Sequence, residues 1–211
     1  KMNYKIKTID NFLSSEDLEN LNSLKFEPIA NNSVSNYQCL IHKKDNFINS
    51  ENKNKVINNI FEKYNNVLLE ILKELNYEKL RLYDYSMISL VRTGKDFKFP
   101  IHDDTPDKIL SGVIYLNPEI NSGTNFYNEK NPTTKKSVTW KKNRAVFFSR
   151  EERKTWHSFE GHEGGERRVL VYNLCTKQLK KVFNIEKKNY LYGMLRYKLN
   201  PYIFKIFKRV I

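Results

Sequence analysis

Glycine is scarce here, with 7 among 211 residues, so each place where it clusters marks a turn that needs freedom a side chain denies. Cysteine is scarcer still. Cys39 and Cys175 form no CxxC and no paired spacing, which argues against a disulfide framework or a four-cysteine metal site and makes a reducing, cytoplasmic setting the expectation. No apolar run approaches the roughly 20 residues needed to cross a bilayer, and no secretory segment opens the chain. Lys1, ahead of Met2, reads as an addition to a natural start. Neither an internal repeat nor a low-complexity segment occurs. Acidic residues are also in deficit, 24 against 37 lysines and arginines, for a net charge of +13. The resulting field attracts anions such as phosphorylated sugars, nucleic acid or acidic lipid headgroups, although lysines spread over a solvated surface give the same count.

What is present suits a folded protein of one domain: hydrophobic residues make up 39%, charged residues 29%, and Tyr and Phe number 13 each. Residues 1–78 are expected to form a helical support. Ser14-Ser15-Glu16-Asp17 ahead of Leu18, Leu21 and Leu24 reads as a capped helix. From Val56 the apolar positions Ile57, Ile60, Phe61, Tyr64, Val67, Leu68, Ile71, Leu72 and Leu75 repeat every 3.6 residues and stop near Asn76. After Tyr77 the pattern changes to short β-branched and aromatic stretches: 80–92, 109–116, 124–127, 137–140, 145–149 and 169–174, divided by turn formers such as Asn117-Pro118 and Asn121-Ser122-Gly123. Residues 79–180 are therefore expected to form the core, mainly β with flanking helices (α+β), as a two-sheet β-sandwich or jelly roll.

Residues 181–211 remain as a basic tail. Asn200-Pro201 fits an N-cap followed by proline at the first helical position, and Lys205, Lys208 and Arg209 fall on one arc of the helix that would follow. Such a helix docks on the protein's own surface or lies flat on an anionic membrane through residues 201–211.

Two of the four histidines, His42, His102, His157 and His162, stand in contexts that suit a metal. In Phe99-Pro100-Ile101-His102-Asp103-Asp104, extended backbone sends His102 and Asp104 to one side and Asp103 to the other. One more imidazole would complete a two-histidine, one-carboxylate facial triad with three open positions. His157, in Thr155-Trp156-His157-Ser158-Phe159, is preferred to His162, which sits in the polar stretch Glu160-Gly161-His162-Glu163-Gly164-Gly165. Arg168 opens the apolar Val169-Leu170-Val171-Tyr172-Asn173-Leu174, and a buried arginine there needs a ligand anion. Arg168 shares its parity with Leu170, Tyr172 and Leu174, which favours it over Arg167 as the inward residue.

The order His102-x-Asp104, Ile114-Tyr115-Leu116-Asn117, Gly123-Thr124-Asn125-Phe126, Asn143-Arg144-Ala145-Val146-Phe147-Phe148, Trp156-His157 and Arg168 resembles the 2-oxoglutarate and iron(II)-dependent dioxygenases, in their prolyl 4-hydroxylase-like branch. The resemblance covers about a third of the chain and implies a double-stranded β-helix (jelly-roll) core. It implies that His102, Asp104 and His157 bind Fe(II), that Arg168 and Tyr115 hold the distal carboxylate of 2-oxoglutarate, and that O2 is consumed as a C–H bond is hydroxylated. It also marks a departure: relatives often carry a tyrosine where Arg92 stands.

For the substrate, the lysine- and asparagine-rich segments 32–50, 93–100 and 129–136 are expected to rim the barrel mouth and to favour a polar or anionic small molecule or glycan, such as a nucleotide- or lipid-linked sugar. Inside the enzyme class the alternative is a hydroxylase of peptidyl residues. Outside it stands a metal-free basic β-sandwich that binds nucleic acid or acidic lipid.

Overall fold

The computed structural model describes residues 2–42, 54–207 and 211. Helix α1 (Ser15–Asn22) begins where the cap pattern places it: Ser14 Oγ accepts the Asp17 N–H at 3.2 Å. Helix α2 (Lys55–Leu75) follows the 3.6-residue period and buries Ile57, Ile60, Leu68, Ile71 and Leu72, each worth about 1.5–3 kcal/mol on removal from water. Asp17 joins the two helices, accepting from Lys63 Nζ at 2.9 Å and from the Tyr64 hydroxyl at 2.8 Å.

Among the described residues there are ten strands: β1 (Lys7–Ile9), β2 (Val34–His42), β3 (Tyr85–Thr93), β4 (Lys98–His102), β5 (Lys108–Asn117), β6 (Thr124–Tyr127), β7 (Lys136–Val138), β8 (Ala145–Phe148), β9 (Trp156–Glu160) and β10 (Arg167–Cys175), of which β3, β5, β6, β7, β8 and β10 fall on the expected short segments. They pair antiparallel in a six-stranded sheet, β1-β8-β5-β10-β3-β2, and a four-stranded sheet, β4-β9-β6-β7. The core is the expected jelly roll, mainly β with flanking helices. Residues 1–78 are not only helical, however, because β1 and β2 supply both edges of the large sheet.

The large sheet is buried on both faces. Leu170, Tyr172 and Leu174 of β10 pack with Ile60, Leu68 and Leu72 of α2, while Val169 belongs to a second cluster with Tyr115, Phe126, Trp140 and Phe148 between the sheets. Strand parity alone therefore does not say which face is the barrel interior.

Helix α3 (Tyr77–Leu80) leads into β3; α4 (Leu179–Ile185) and α5 (Tyr190–Phe207) close the chain. The expected start at Asn200-Pro201 is corrected, since α5 begins well before it and carries Pro201 inside. Proline lacks the N–H that would reach the Tyr197 carbonyl, so the helix continues with one bond fewer. Gly193 lets α5 settle on α4: a Cβ there would stand 2.1 Å from the Phe183 ring. Gly193→Ala is expected to cost about 1–3 kcal/mol through overpacking, measurable by urea denaturation, with metal affinity unchanged.

Candidate metal centre and its two cavities

His102 ends β4 and lies opposite His157 in the β4–β9 pairing, and Asp104 follows two residues on. The structure brings one ligand atom from each of the three within 4.8 Å of one another. His157 Nε2 stands 3.8 Å from Asp104 Oδ2. His162 stays apart, its Nδ1 accepting the Gly164 N–H at 3.0 Å.

Each ring is oriented from behind. His102 Nδ1 lies 3.0 Å from the Pro100 carbonyl and His157 Nδ1 lies 3.0 Å from that of Thr155. A carbonyl calls for a proton on the Nδ1 it faces, which leaves the Nε2 lone pair free for a metal. Burial pushes His102 down to about 3, with His157 adding to the effect and Asp104 opposing it, so the ring is neutral at physiological pH. Burial works to raise the Asp104 carboxyl, but the Lys108 ammonium and the two imidazoles outweigh it and hold the group well below the usual carboxylate range. Ser111 Oγ donates to Asp104 Oδ2 at 2.5 Å, and Lys108 pairs with Oδ1. Two imidazole nitrogens and one carboxylate oxygen on a common face fit a divalent transition metal with open positions.

The intervening Asp103 faces away, as its parity requires. It receives Arg196 of α5 at 2.7 and 2.8 Å. Arg196 also meets Glu152, which pairs with Arg150; Arg150 and Lys79 share Glu186. Arg150 Nε donates to the Asp104 carbonyl at 3.0 Å. A buried ionic chain thus grips the His-x-Asp segment from the side opposite the ligands.

Two cavities meet at the triad and share His102, Asp104 and Lys108. The inner one, about 130 Å³, lies between the sheets and is lined by Arg167, Thr124, Ser111 and Asn173 among valines and phenylalanines. The outer one, about 290 Å³, is walled by Phe99, Thr105 and Pro106 on one side and by Tyr197, Asn200 and Phe204 of α5 on the other.

The arginine assignment is corrected. Arg168 points to the helix side and is bound by Glu166 at 2.6 Å. Arg167 enters the inner cavity, 2% exposed, its guanidinium 5.2 Å from the Phe159 ring centroid and 5.4 Å from that of Trp140. Its Nε donates to the Ser122 carbonyl at 3.2 Å, and among the described residues no carboxylate pairs with it. Burial lowers it to about 10, opposed by Tyr115, and it stays charged at neutral pH. Tyr115 stands behind the cavity wall: its hydroxyl donates to Thr124 Oγ1 and accepts the Thr124 N–H, both at 2.9 Å. Thr124 itself lines the cavity in its place. Arg92 also faces away, bound by Glu166, and its neighbour Val91 lines the cavity.

Among the described residues the three rim segments line neither cavity except through Phe99. Residues 34–42 are strand β2, and 43–53 lie outside the described residues. The wall is α5 instead. Sequence reasoning also passed over Lys108 and Ser111, for which an i, i+4 lysine after Asp104 was the available signal, and Asn173, for which there was none.

Residues 88–175 match the family model described as the 2OG-Fe(II) oxygenase superfamily. No curated protein matches the chain. Among solved structures, a Pseudomonas putida prolyl-4-hydroxylase is similar at 12% identity and TM-score 0.56, covering 83% of this chain and 94% of that one. An oxidoreductase of the 2OG-Fe(II) oxygenase family from Burkholderia pseudomallei is similar at 13% identity and TM-score 0.57, covering 81% and 84%. A Trichoplax adhaerens prolyl hydroxylase, solved with a hypoxia inducible factor peptide fragment, is similar at 15% identity and TM-score 0.51, covering 85% and 87%. At such identities these likenesses speak for the fold. The matched segment is the one that carries both histidines, the aspartate and Arg167, and over those residues the chain is that of a 2OG-Fe(II) oxygenase, a dioxygenase that depends on Fe(II), 2-oxoglutarate and O2.

Proposed function

We propose that the chain hydroxylates a polar or anionic small molecule or glycan held in the outer cavity, with Fe(II) on His102, Asp104 and His157 and 2-oxoglutarate in the inner cavity. One observation carries the reading: the two cavities share His102 and Asp104 of the triad, so a co-substrate on one side and a substrate on the other both reach the same ion.

When bound, Fe(II) with 2-oxoglutarate and O2 supplies the oxidising chemistry, in which the keto acid becomes succinate and CO2 and one oxygen atom enters the substrate as hydroxyl. The chain's own groups do the rest. Arg167 offers charge-assisted donors to the distal carboxylate of the co-substrate. The Thr124 hydroxyl adds a donor, and so does Asn173 Nδ2, which is buried without a hydrogen-bond partner. Val91, Val169 and Val171 suit the methylenes, while Phe148 and Phe159 exclude water. Ser111 and Lys108 fix the plane of the Asp104 carboxylate. On the substrate side, Asn200, Tyr197 and Thr105 provide hydrogen-bonding groups over an apolar floor of Phe99 and Phe204, and Lys108 provides charge. That mixture supports a polar or anionic substrate. A peptidyl substrate is the second reading, favoured by the shared fold with prolyl hydroxylases.

The anaerobic protein with Fe(II) and 2-oxoglutarate is expected to show a charge-transfer band that bleaches on admitting O2 as succinate forms. Asp104→Ala is expected to weaken Fe(II) binding by at least about 100-fold and to remove the band, since losing a ligand exceeds the 10–100-fold effect of losing a ligand's supporting partner. A folded wild-type sample that takes up no divalent transition metal would sink the reading. Screening cell extracts for a 2-oxoglutarate-dependent product one oxygen heavier, with peptides and small molecules separated beforehand, decides between the two substrate classes.

A further inference from the structure

Helix α5 has two faces of opposite character. One face carries Gly193, Arg196, Tyr197, Asn200 and Phe204 and is held down by the Arg196–Asp103 ion pair, by the Phe183 ring beneath Gly193 and by the Phe99–Phe204 ring contact at 5.4 Å. The other face is open. Leu191, Leu195, Leu199, Tyr202 and Ile206 are 77%, 58%, 41%, 70% and 70% exposed, and at 100° per residue they fall within an arc of about 80°. Five large apolar side chains aligned in solvent are more than a soluble surface carries by chance.

The stripe has a border of one sign. Lys198 and Lys205 run along its edge, Lys187 and Lys188 precede its first turn, and all four are exposed. Not one acidic residue occurs between Lys187 and Ile211. Among the described residues no helix is long and apolar enough to cross a membrane, so the stripe suits lying in a surface and not spanning it.

We propose that this open face of α5 docks on an anionic lipid surface, the leucines and Ile206 entering the headgroup boundary and the lysines meeting lipid phosphates. The contact runs from Leu191 to Ile206, longer than the 201–211 segment that the sequence suggests. Ion pairs pin the opposite face, so the helix cannot roll, and the lipid lies about one helix diameter, 10–12 Å, from the wall of the outer cavity. An enzyme held in this way draws its substrate from the lipid surface or the layer next to it. Lipid docking itself does not depend on the oxygenase reading.

Co-sedimentation of the whole chain with phosphatidylcholine vesicles, with and without phosphatidylglycerol, tests the proposal. Binding is expected only with phosphatidylglycerol and is expected to weaken with salt. The variant L195E/Y202E/I206E is expected to lose at least about tenfold in vesicle affinity, with thermal stability and succinate formation unchanged because these residues line neither cavity. Lys198→Ser and Lys205→Ser are each expected to weaken binding about fivefold. Absence of binding to anionic vesicles, or equal binding to neutral ones, would overturn it. So would a wild-type dimer in analytical ultracentrifugation that the triple variant converts to monomer, since a second copy would then cover the stripe.

Discussion

Arg167→Ala is expected to raise the 2-oxoglutarate concentration for half-maximal succinate formation by about 100-fold or more, whereas Arg168→Ala changes it by less than about threefold. The first figure follows from truncating one partner of a buried charge-assisted contact, which costs about 2–5 kcal/mol. The second follows because Arg168 pairs with Glu166 and is not among the residues that line the cavity. Fe(II) affinity is expected to survive both changes, since neither side chain is among the three that converge. Arg167→Lys should recover only part of the loss, because an ammonium lacks the planar fork that matches a carboxylate. If Arg168→Ala gave the large effect and Arg167→Ala the small one, the β10 register described above would be wrong by one residue.

Glu186→Ala is expected to destabilise the fold by about 3–5 kcal/mol, because the change leaves two buried cations without their shared carboxylate. Lys79 Nζ lies 2.6 Å from Glu186 Oε1 and Arg150 Nη1 lies 2.8 Å from Oε2, and all three side chains are fully buried. Burial pulls the Lys79 ammonium below its ordinary pKa and Glu186 resists; without that carboxylate the largest opposition to the pull is gone. Against a total stability of about 5–15 kcal/mol, the loss should lower Tm by on the order of 10 °C, as read by calorimetry. The same carboxylate steadies Arg150, which holds the Asp104 carbonyl. Weaker Fe(II) binding at temperatures where the variant is still folded is therefore expected as well. A loss below about 1 kcal/mol would mean that water or a shifted Glu152 replaces the carboxylate, and that the network is not the support described here.

Much of this was legible in the residues. The period of α2, the Ser14 cap and most strands follow from local pattern, because each depends on neighbours a few positions away. The triad was legible for a similar reason: extended backbone alone puts His102 and Asp104 on one side, and the tryptophan-histidine stretch after an apolar strand suggested the third ligand. The arginine was not. Parity correctly grouped Arg168 with Leu170, Tyr172 and Leu174, but the more apolar face of β10 packs on α2, and the face with the valines lines the cavity. When both faces of a strand are buried, apolar content no longer marks the interior. Tyr115 is on the expected strand and face, but its hydroxyl is taken up by Thr124, which stands between it and the cavity.

By itself the sequence determined most of the elements, the three side chains that converge and the class of chemistry, since those rest on short-range spacing and on which atoms can ligate. Only tertiary packing decided which arginine enters the inner cavity, that Asp103 and Arg196 anchor α5, and that this helix walls the outer cavity while its other side stays bare. Each of these depends on which of two buried faces meets which neighbour, and that choice is made by elements far away in the chain.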